Sequence, residues 1–172
     1  YSDDGETWRG GYGPRIRRWT LFNGDRLDQL AHVVDVLRED PLSRRAVIAI
    51  YDPAVDTEPG KDIPCNDFLQ FQSRNGALHL TVTVRSNDVM WGWSGINAFE
   101  WSTLQEMVAS LLGIGVGDLT FNIGSLHLYD PGTGTTGEIT GVPEVRHVAQ
   151  GGLGDVVLHP RYADNQLVYI SF

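Results

Sequence analysis

Residues 64–88 read Pro-Cys-Asn-Asp-Phe-Leu-Gln-Phe-Gln-Ser-Arg-Asn-Gly-Ala-Leu-His-Leu-Thr-Val-Thr-Val-Arg-Ser-Asn-Asp, and the Asn75-Gly76 pair at their centre decides the fold. Asn-Gly supplies two successive residues that accept positive φ, which a tight two-residue hairpin turn requires. The flanking runs Phe68 to Ser73 and Leu78 to Val84 are therefore predicted to pair as strands. In the second, Leu78, Leu80, Val82 and Val84 alternate with His79, Thr81 and Thr83, the pattern of a sheet with one face in a core. Upstream, Ala46 to Tyr51 is a short apolar run ended by Asp52-Pro53 and is predicted to be a buried strand. Before it, Leu27, Leu30, Val33, Val34 and Leu37 recur at helical spacing, which predicts a helix from Arg26 with Asp25 as N-cap and Pro41 as stop. Downstream, Phe99, Leu104, Met107, Val108, Leu111 and Leu112 predict a second, buried helix ended by Gly113. Asp118 to Tyr129 and Leu167 to Phe172 read as strands, and Asp130 to Gly141 as a Gly- and Thr-rich loop. Tyr1 to Trp19 has no clear period and no element is assigned there. Strands outnumber helices without regular alternation, so the expected class is α+β rather than a doubly wound sheet.

With 172 residues, the chain is expected to form a single domain over residues 1–172. A hydrophobic share of 41% against 20% charged residues is that of a packed globular protein and excludes a disordered chain. No apolar stretch approaches the roughly 18 residues of a membrane span, and Tyr1-Ser2-Asp3-Asp4 lacks the basic and then apolar pattern of a signal peptide. Cys65 is the single cysteine and has no intramolecular partner, so a reducing, cytoplasmic setting is expected. The formal charge of -9 disfavours nucleic acid as a partner. Lys61 is the one lysine among the basic residues, and arginine grips phosphate or carboxylate with a planar two-pronged fork, which leaves a small anionic ligand open. No metal site is expected.

Cys65 stands between Pro64 and Asn66 at the start of a predicted strand, where backbone geometry is fixed and a side chain can be aimed into a cleft. A lone cysteine is more often a small buried core residue than a nucleophile. It becomes nucleophilic when a cation stabilises its thiolate, and the chain offers Arg85 at the end of the hairpin and the pair Arg44-Arg45 after the first helix. The plainer reading of that pair is a complement to a helix C-terminus.

Taken together, Pro64-Cys65, Gln70-Phe71, Arg85-Ser86-Asn87-Asp88, Gly92, Asn97, Gly124 and His127-Leu128-Tyr129 resemble the core of thymidylate synthase and its relatives, the pyrimidine nucleotide hydroxymethylases. Asp40 to Arg45, and Tyr12-Gly13 with Arg17, are similar to that family as well, so the resemblance runs from Tyr12 to Tyr129 in order. It implies a mixed β-sheet layered with helices, one sheet face forming a homodimer interface. It also implies that Cys65 attacks C6 of a uridine monophosphate nucleotide, dUMP in the first instance, so that C5 takes a one-carbon unit from the co-substrate 5,10-methylenetetrahydrofolate. Arg85, Ser86 and Gln70 would bind the nucleotide, and Arg44 and Arg45 would reach the phosphate bound by the partner subunit. Asn97 would read the base, because a carboxamide offers a donor and an acceptor to the N3-H and O4 edge of uracil; its plainer reading is an N-cap for the following helix. His127 and Tyr129 would share a strand face and hold a sugar hydroxyl. Asp88 resembles the family's pterin-contacting carboxylate, alongside Trp91 and Gly92 on the folate side, while its plainer reading is a turn residue.

Three departures are visible. Asn66 replaces the histidine that commonly follows the nucleophile and takes its place among the catalytic residues with Cys65 and Asp88. The segment Trp93-Ser94-Gly95-Ile96 makes the spacing between Gly92 and Asn97 one residue longer than usual. The family's arginine loop, its catalytic glutamate and its folate-closing tail find no match in these residues. The expected activity is one-carbon transfer to C5 of a uridylate, with thymidylate formation first. The alternatives are hydroxymethylation, where water captures the methylene intermediate, and a non-catalytic nucleotide-binding relative. A dry site favours hydride and an open one water.

Overall fold

The computed structural model describes residues 4–6 and 8–129, and beyond them the backbone of three short strands, Thr136–Gly137, Asp155–Leu158 and Val168–Ser171. In chain order the elements are α1 (Tyr12–Arg17), β1 (Trp19–Thr20), β2 (Arg26–Leu27), α2 (Gln29–Glu39), β3 (Val47–Ala49), α3 (Pro53–Asp56), β4 (Asn66–Arg74), β5 (Ala77–Val84), β6 (Asn87–Asp88), a π-helical segment (Val89–Ile96), α4 (Asn97–Leu112), β7 (Gly115–Ile123), β8 (Leu126–Tyr129) and β9 (Thr136–Gly137), then β10 (Asp155–Leu158) and β11 (Val168–Ser171). The chain divides into two compact units, Tyr1–Thr136 and Gly137–Phe172. In the second, β10 and β11 pair antiparallel, Asp155 opposite Ser171 and Leu158 opposite Val168, in accord with the final strand expected from the sequence. The expected loop at 130–141 lies mostly outside the described residues.

The first unit is built on a four-stranded sheet in the order β3-β4-β5-β7, the first two pairings antiparallel and the last parallel. At the centre, Asn75 (φ 53°) and Gly76 (φ 76°) turn the chain through the left-handed region, so that Arg74 faces Ala77. The inward side chains of β5, Leu78, Leu80, Val82 and Val84, are buried as their alternation requires, with Ile48, Leu69 and Phe71 beside them. Val33, Val34 and Leu37 of α2 and Trp101, Val108 and Ala109 of α4 cover that face. Each fully buried aliphatic side chain contributes roughly 1.5–3 kcal/mol, so this layer holds the unit together. The family expectation of an α+β fold with a mixed sheet is met. Among the described residues no helix is long and apolar enough to cross a membrane.

Several elements differ from their sequence reading. Helix α2 starts at Gln29 rather than Arg26: Asp28 is the cap, accepting from Ala31 N at 3.0 Å, while Arg26 and Leu27 pair with β1. In α4 the buried face is rotated, with Trp101, Gln105, Val108 and Ala109 inside and Phe99, Met107 and Leu111 exposed. The cause is polar as well as apolar. Gln105 Nε2 donates to Leu78 O, Gly117 O and Asp118 O at 2.7–3.1 Å, filling the register shift between β5 and β7. The strand expected from Asp118 to Tyr129 is broken between β7 and β8, where Gly124 N donates to Val84 O and a Cβ on Gly124 would lie 3.0 Å from Arg85 O.

Candidate active site

Cys65 precedes β4 and is half-buried. Its carbonyl accepts from Arg85 N at 2.9 Å, which locks the end of β5 to the start of β4 and brings Arg85 to the thiol. The guanidinium is itself clamped: Nε donates to Pro64 O at 2.9 Å, and Nη2 donates to Ile63 O at 3.1 Å while lying 4.0 Å from Cys65 Sγ. A permanent positive charge is thus held against the sulfur by the backbone of the loop that carries it. Beside this pair, burial pushes the Asp67 carboxyl above its ordinary value, against the pull of Arg85. A bulge between Asn66 and Phe68 lets β4 turn Asn66 inward directly after Cys65.

Asn66 is fully buried, and its carboxamide is used at both ends. Its Nδ2 donates to Tyr12 Oη at 2.6 Å and its Oδ1 accepts from Trp101 Nε1 at 3.1 Å. It therefore works behind Cys65, joining α1, β4 and α4. The Tyr12 ring lies 5.4 Å from that of Trp101. Burial raises the Tyr12 hydroxyl above its ordinary value against the Asn66 hydrogen bond, and negative charge on Cys65 and on Glu100 pushes it the same way. Tyr12 thus belongs to the thiol's surroundings and links them to Glu100, which the residue pattern alone left without a role. The signal for Glu100 was its i,i+3 spacing from Asn97 on one helix.

Arg85 and Ser86 lead into β6, whose Asn87 and Asp88 run parallel to Leu126 and His127 of β8. The Asp88 Oδ1 accepts from Met90 N at 2.9 Å and Trp91 N at 2.6 Å, so one carboxylate oxygen caps the π-helical segment, as its plainer reading anticipated. The extra residue between Gly92 and Asn97 is taken up as a wide turn: Asn97 N donates to Gly92 O, five residues back, and Ser94 Oγ donates to Val89 O at 2.5 Å. Gly92 is buried, and a Cβ there would overlap Asn87 Oδ1 and lie 3.0 Å from Asn97 Oδ1. The Nδ2 of Asn87 is a buried donor without a hydrogen-bond partner among the described residues. Asn97 has helical φ and ψ and is not the N-cap of α4: that position is Ile96, which makes no side-chain bond. Its Nδ2 instead faces Glu100 Oε2 at 3.5 Å. On β8, His127 is buried and its ring meets that of Tyr129 edge to face at 5.0 Å, as expected for alternate residues on one strand face. Trp91 is 71% exposed beside Asp88.

Gln70, Arg44 and Arg45 are not brought to this cluster. Gln70 lies opposite Val47 in the middle of the sheet, roughly 17 Å along β4 from Cys65 at strand rise, and its Nε2 donates to Arg44 O at 3.4 Å. Arg44 and Arg45 are exposed ahead of β3 and beyond the end of α2, so neither completes that helix's C-terminus. Among the described residues no group of three or more His, Cys, Asp or Glu side chains is placed to hold a metal ion.

The family model for thymidylate synthase matches residues 1–149. The chain belongs to the thymidylate synthase family. It is 41% identical over 136 residues to the deoxyuridylate hydroxymethyltransferase of Bacillus phage SP01, covering 75% of this chain and 36% of that protein. It is 36% identical over 108 residues to the thymidylate synthase of Bacillus subtilis subsp. natto, covering 63% and 38%, and 37% identical over 119 residues to a putative thymidylate synthase of Methanosarcina acetivorans, covering 69% and 52%. The chain thus spans about a third to a half of the length of these relatives.

Proposed function

We propose that the protein transfers a one-carbon unit to C5 of a uridine monophosphate, with dUMP as the nucleotide and Cys65 as the nucleophile. The observation that carries this reading is the clamped Arg85 guanidinium 4.0 Å from Cys65 Sγ. A thiolate held beside a fixed cation adds to the electron-poor C6 of the pyrimidine. The electron pair of the C5-C6 double bond moves to the enolate of C5, C4 and O4, and C5 becomes nucleophilic. Asn97 pairs with the N3-H and O4 edge, where that charge develops. Arg85 and Ser86 hold the phosphate, and His127 with Tyr129 holds the sugar. The enolate's electron pair becomes the bond from C5 to the one-carbon unit; the pair left on C5 when its proton departs then re-forms the C5-C6 double bond, and Cys65 leaves with the electrons of the C6-S bond.

The co-substrate 5,10-methylenetetrahydrofolate supplies the one-carbon unit at the oxidation level of formaldehyde. The residues present suit its pterin: Asp88 keeps an oxygen free beyond the one committed to Met90 and Trp91, and the exposed Trp91 indole stands next to it as a flat surface. The outward sheet face, which carries the 38% exposed Phe68, is proposed as the homodimer interface, and Arg44 and Arg45 as donors to the partner's nucleotide phosphate.

Hydroxymethylation is the second reading. It is supported by three relatives named deoxyuridylate hydroxymethyltransferase at 34–41% identity, covering 75–76% of this chain. Both outcomes share Cys65 and differ in whether hydride or water is the final nucleophile. Incubation of the intact protein with dUMP and methylenetetrahydrofolate, followed by product mass, separates the methyl from the hydroxymethyl product. Cys65→Ser is expected to abolish either while retaining nucleotide affinity, and turnover near the parent rate in that variant would remove Cys65 from the mechanism.

A further inference from the structure

A carboxamide reads a base only if it is kept from turning end for end. With Oδ1 toward N3-H and Nδ2 toward O4, Asn97 matches uracil; turned over, it matches the N3 and amino edge of cytosine equally well. The neighbour that distinguishes the two senses is Glu100, one turn along α4, whose Oε2 lies 3.5 Å from Asn97 Nδ2. An ionised carboxylate only accepts, so the end of the carboxamide that faces it must be the nitrogen. The oxygen then falls on the Gly92 side, where the absence of a Cβ leaves it room. The second N-H of Asn97 remains for O4. In the opposite sense, Asn97 Oδ1 would meet Glu100 Oε2, two acceptors without a proton between them.

Glu100 is otherwise poorly provided for. It is partly buried, and burial raises its carboxyl above the ordinary value, with only the Asn97 hydrogen bond acting the other way. The charge of Glu100 also opposes ionisation of the Tyr12 hydroxyl, which offers it no positive partner. A surface helix position would place such a side chain in water, and no described cation pairs with it. Among the described residues, the side chain that hydrogen-bonds it is the one that would read the base.

We infer that Glu100 is a positioning residue for base selection, holding the Asn97 carboxamide in the sense that pairs with uracil and penalising the sense that pairs with cytosine. This rests on the reading of Asn97 given under the proposed function. The contact is long, so Glu100 sets the sense of the amide without holding it rigid, and a donor-and-acceptor group in its place stabilises both senses.

The test compares dissociation constants for dUMP and dCMP, measured by calorimetry on the intact parent protein, Glu100→Gln and Asn97→Asp, with thermal unfolding as a check of the fold. The parent is expected to prefer dUMP by about ten- to a hundredfold. Glu100→Gln, of the same shape, is expected to bring the two constants within about threefold of each other, mainly by tightening dCMP, at unchanged or higher thermal midpoint. A purely structural role would instead weaken both nucleotides alike. Asn97→Asp is expected to turn the preference toward dCMP. Parent-like preference in folded Glu100→Gln together with a shift in Asn97→Asp would overturn the role of Glu100 and leave the base reading standing; no shift in either would overturn both. Should Glu100→Gln fail to fold, Glu100→Ala, which removes the acceptor without replacing it, is read by the same criteria.

Discussion

Arg15 and Asp56 show how the smallest scale supports the site without belonging to it. Asp56 is 2% exposed and meets Arg15 through two hydrogen bonds of 2.6 and 2.7 Å, while Arg15 also donates to Ile50 O and Arg9 O. This ties α1, which carries Tyr12, to the end of β3. Burial alone would raise the Asp56 carboxyl, but hydrogen bonds from Arg15 and Asp52 N and the Arg15 charge outweigh it and hold the group below its ordinary value. The sign follows: the folded state keeps its proton off longer than the unfolded chain, so the pair stabilises above pH 3.8 and the contribution is lost as pH falls through the folded value. Asp56→Asn is expected to cost about 3–5 kcal/mol near neutral pH, because it strands a buried guanidinium. Its unfolding midpoint should change less than the parent's as the pH is taken below 3.8. Thermal unfolding against pH checks both, and parallel pH profiles would contradict the assignment.

At the scale of elements, the π-helical segment converts one extra residue into a placed side chain. Gly95, with φ -125° and ψ -116°, kinks the segment out of helical geometry, and across that kink Asn97 N still closes onto Gly92 O. Gly92→Ala puts a methyl group onto Asn87 Oδ1, a buried neighbour with little room to retreat. The expected result is a loss of about 1–3 kcal/mol of stability in denaturant unfolding, accompanied by weaker dUMP binding in titration. Retained binding at reduced stability would separate the turn from the site. The same elements mark what a sequence can reveal. The hairpin, α2 and the span of α4 were legible, because Asn75-Gly76 and a sustained period are local signals. Helix α1 was not, since six residues with Ile16 as the buried apolar one carry no period. The start of α2 was misplaced because Asp25 and Asp28 are both good caps, and only the pairing of β1 with β2 chooses between them. The helical spacing of Phe99, Met107 and Leu111 points them to the core, whereas the face is set by Trp101 reaching Asn66 and Gln105 reaching the β5-β7 bulge. Cys65 and Arg85 were legible as site candidates from residue chemistry, and Asp88, Asn97 and His127 through the resemblance of their motifs to the thymidylate synthase family. Their support from Tyr12, Asn66 and Trp101 was not, because those contacts join residues far apart in the chain.

On the scale of the whole molecule, the thiol cluster lies at one end of the sheet, and Arg44, Arg45 and Gln70 lie apart from it. The homodimer proposed above would account for this separation by sharing each site across a twofold axis. In that case Arg44→Ala should weaken dUMP binding, and dimers mixed from Arg44→Ala and Cys65→Ser chains should regain part of the activity that each homodimer lacks, since one of the two sites then holds both an intact thiol and an intact arginine. No recovery in demonstrably mixed dimers would place Arg44 outside the site. The central claim is simpler than the assembly: Cys65 adds to C6 and makes C5 nucleophilic. The most direct measurement is exchange of the C5 hydrogen of dUMP for deuterium, followed by mass spectrometry of the nucleotide after incubation with the intact protein in deuterated water. Addition at C6 lets C5 take a deuteron and lose its proton on reversal, so the parent should raise the nucleotide mass by about one unit while Cys65→Ser leaves it unchanged. Equal exchange by parent and Cys65→Ser, or none by a parent that binds dUMP, would contradict the account.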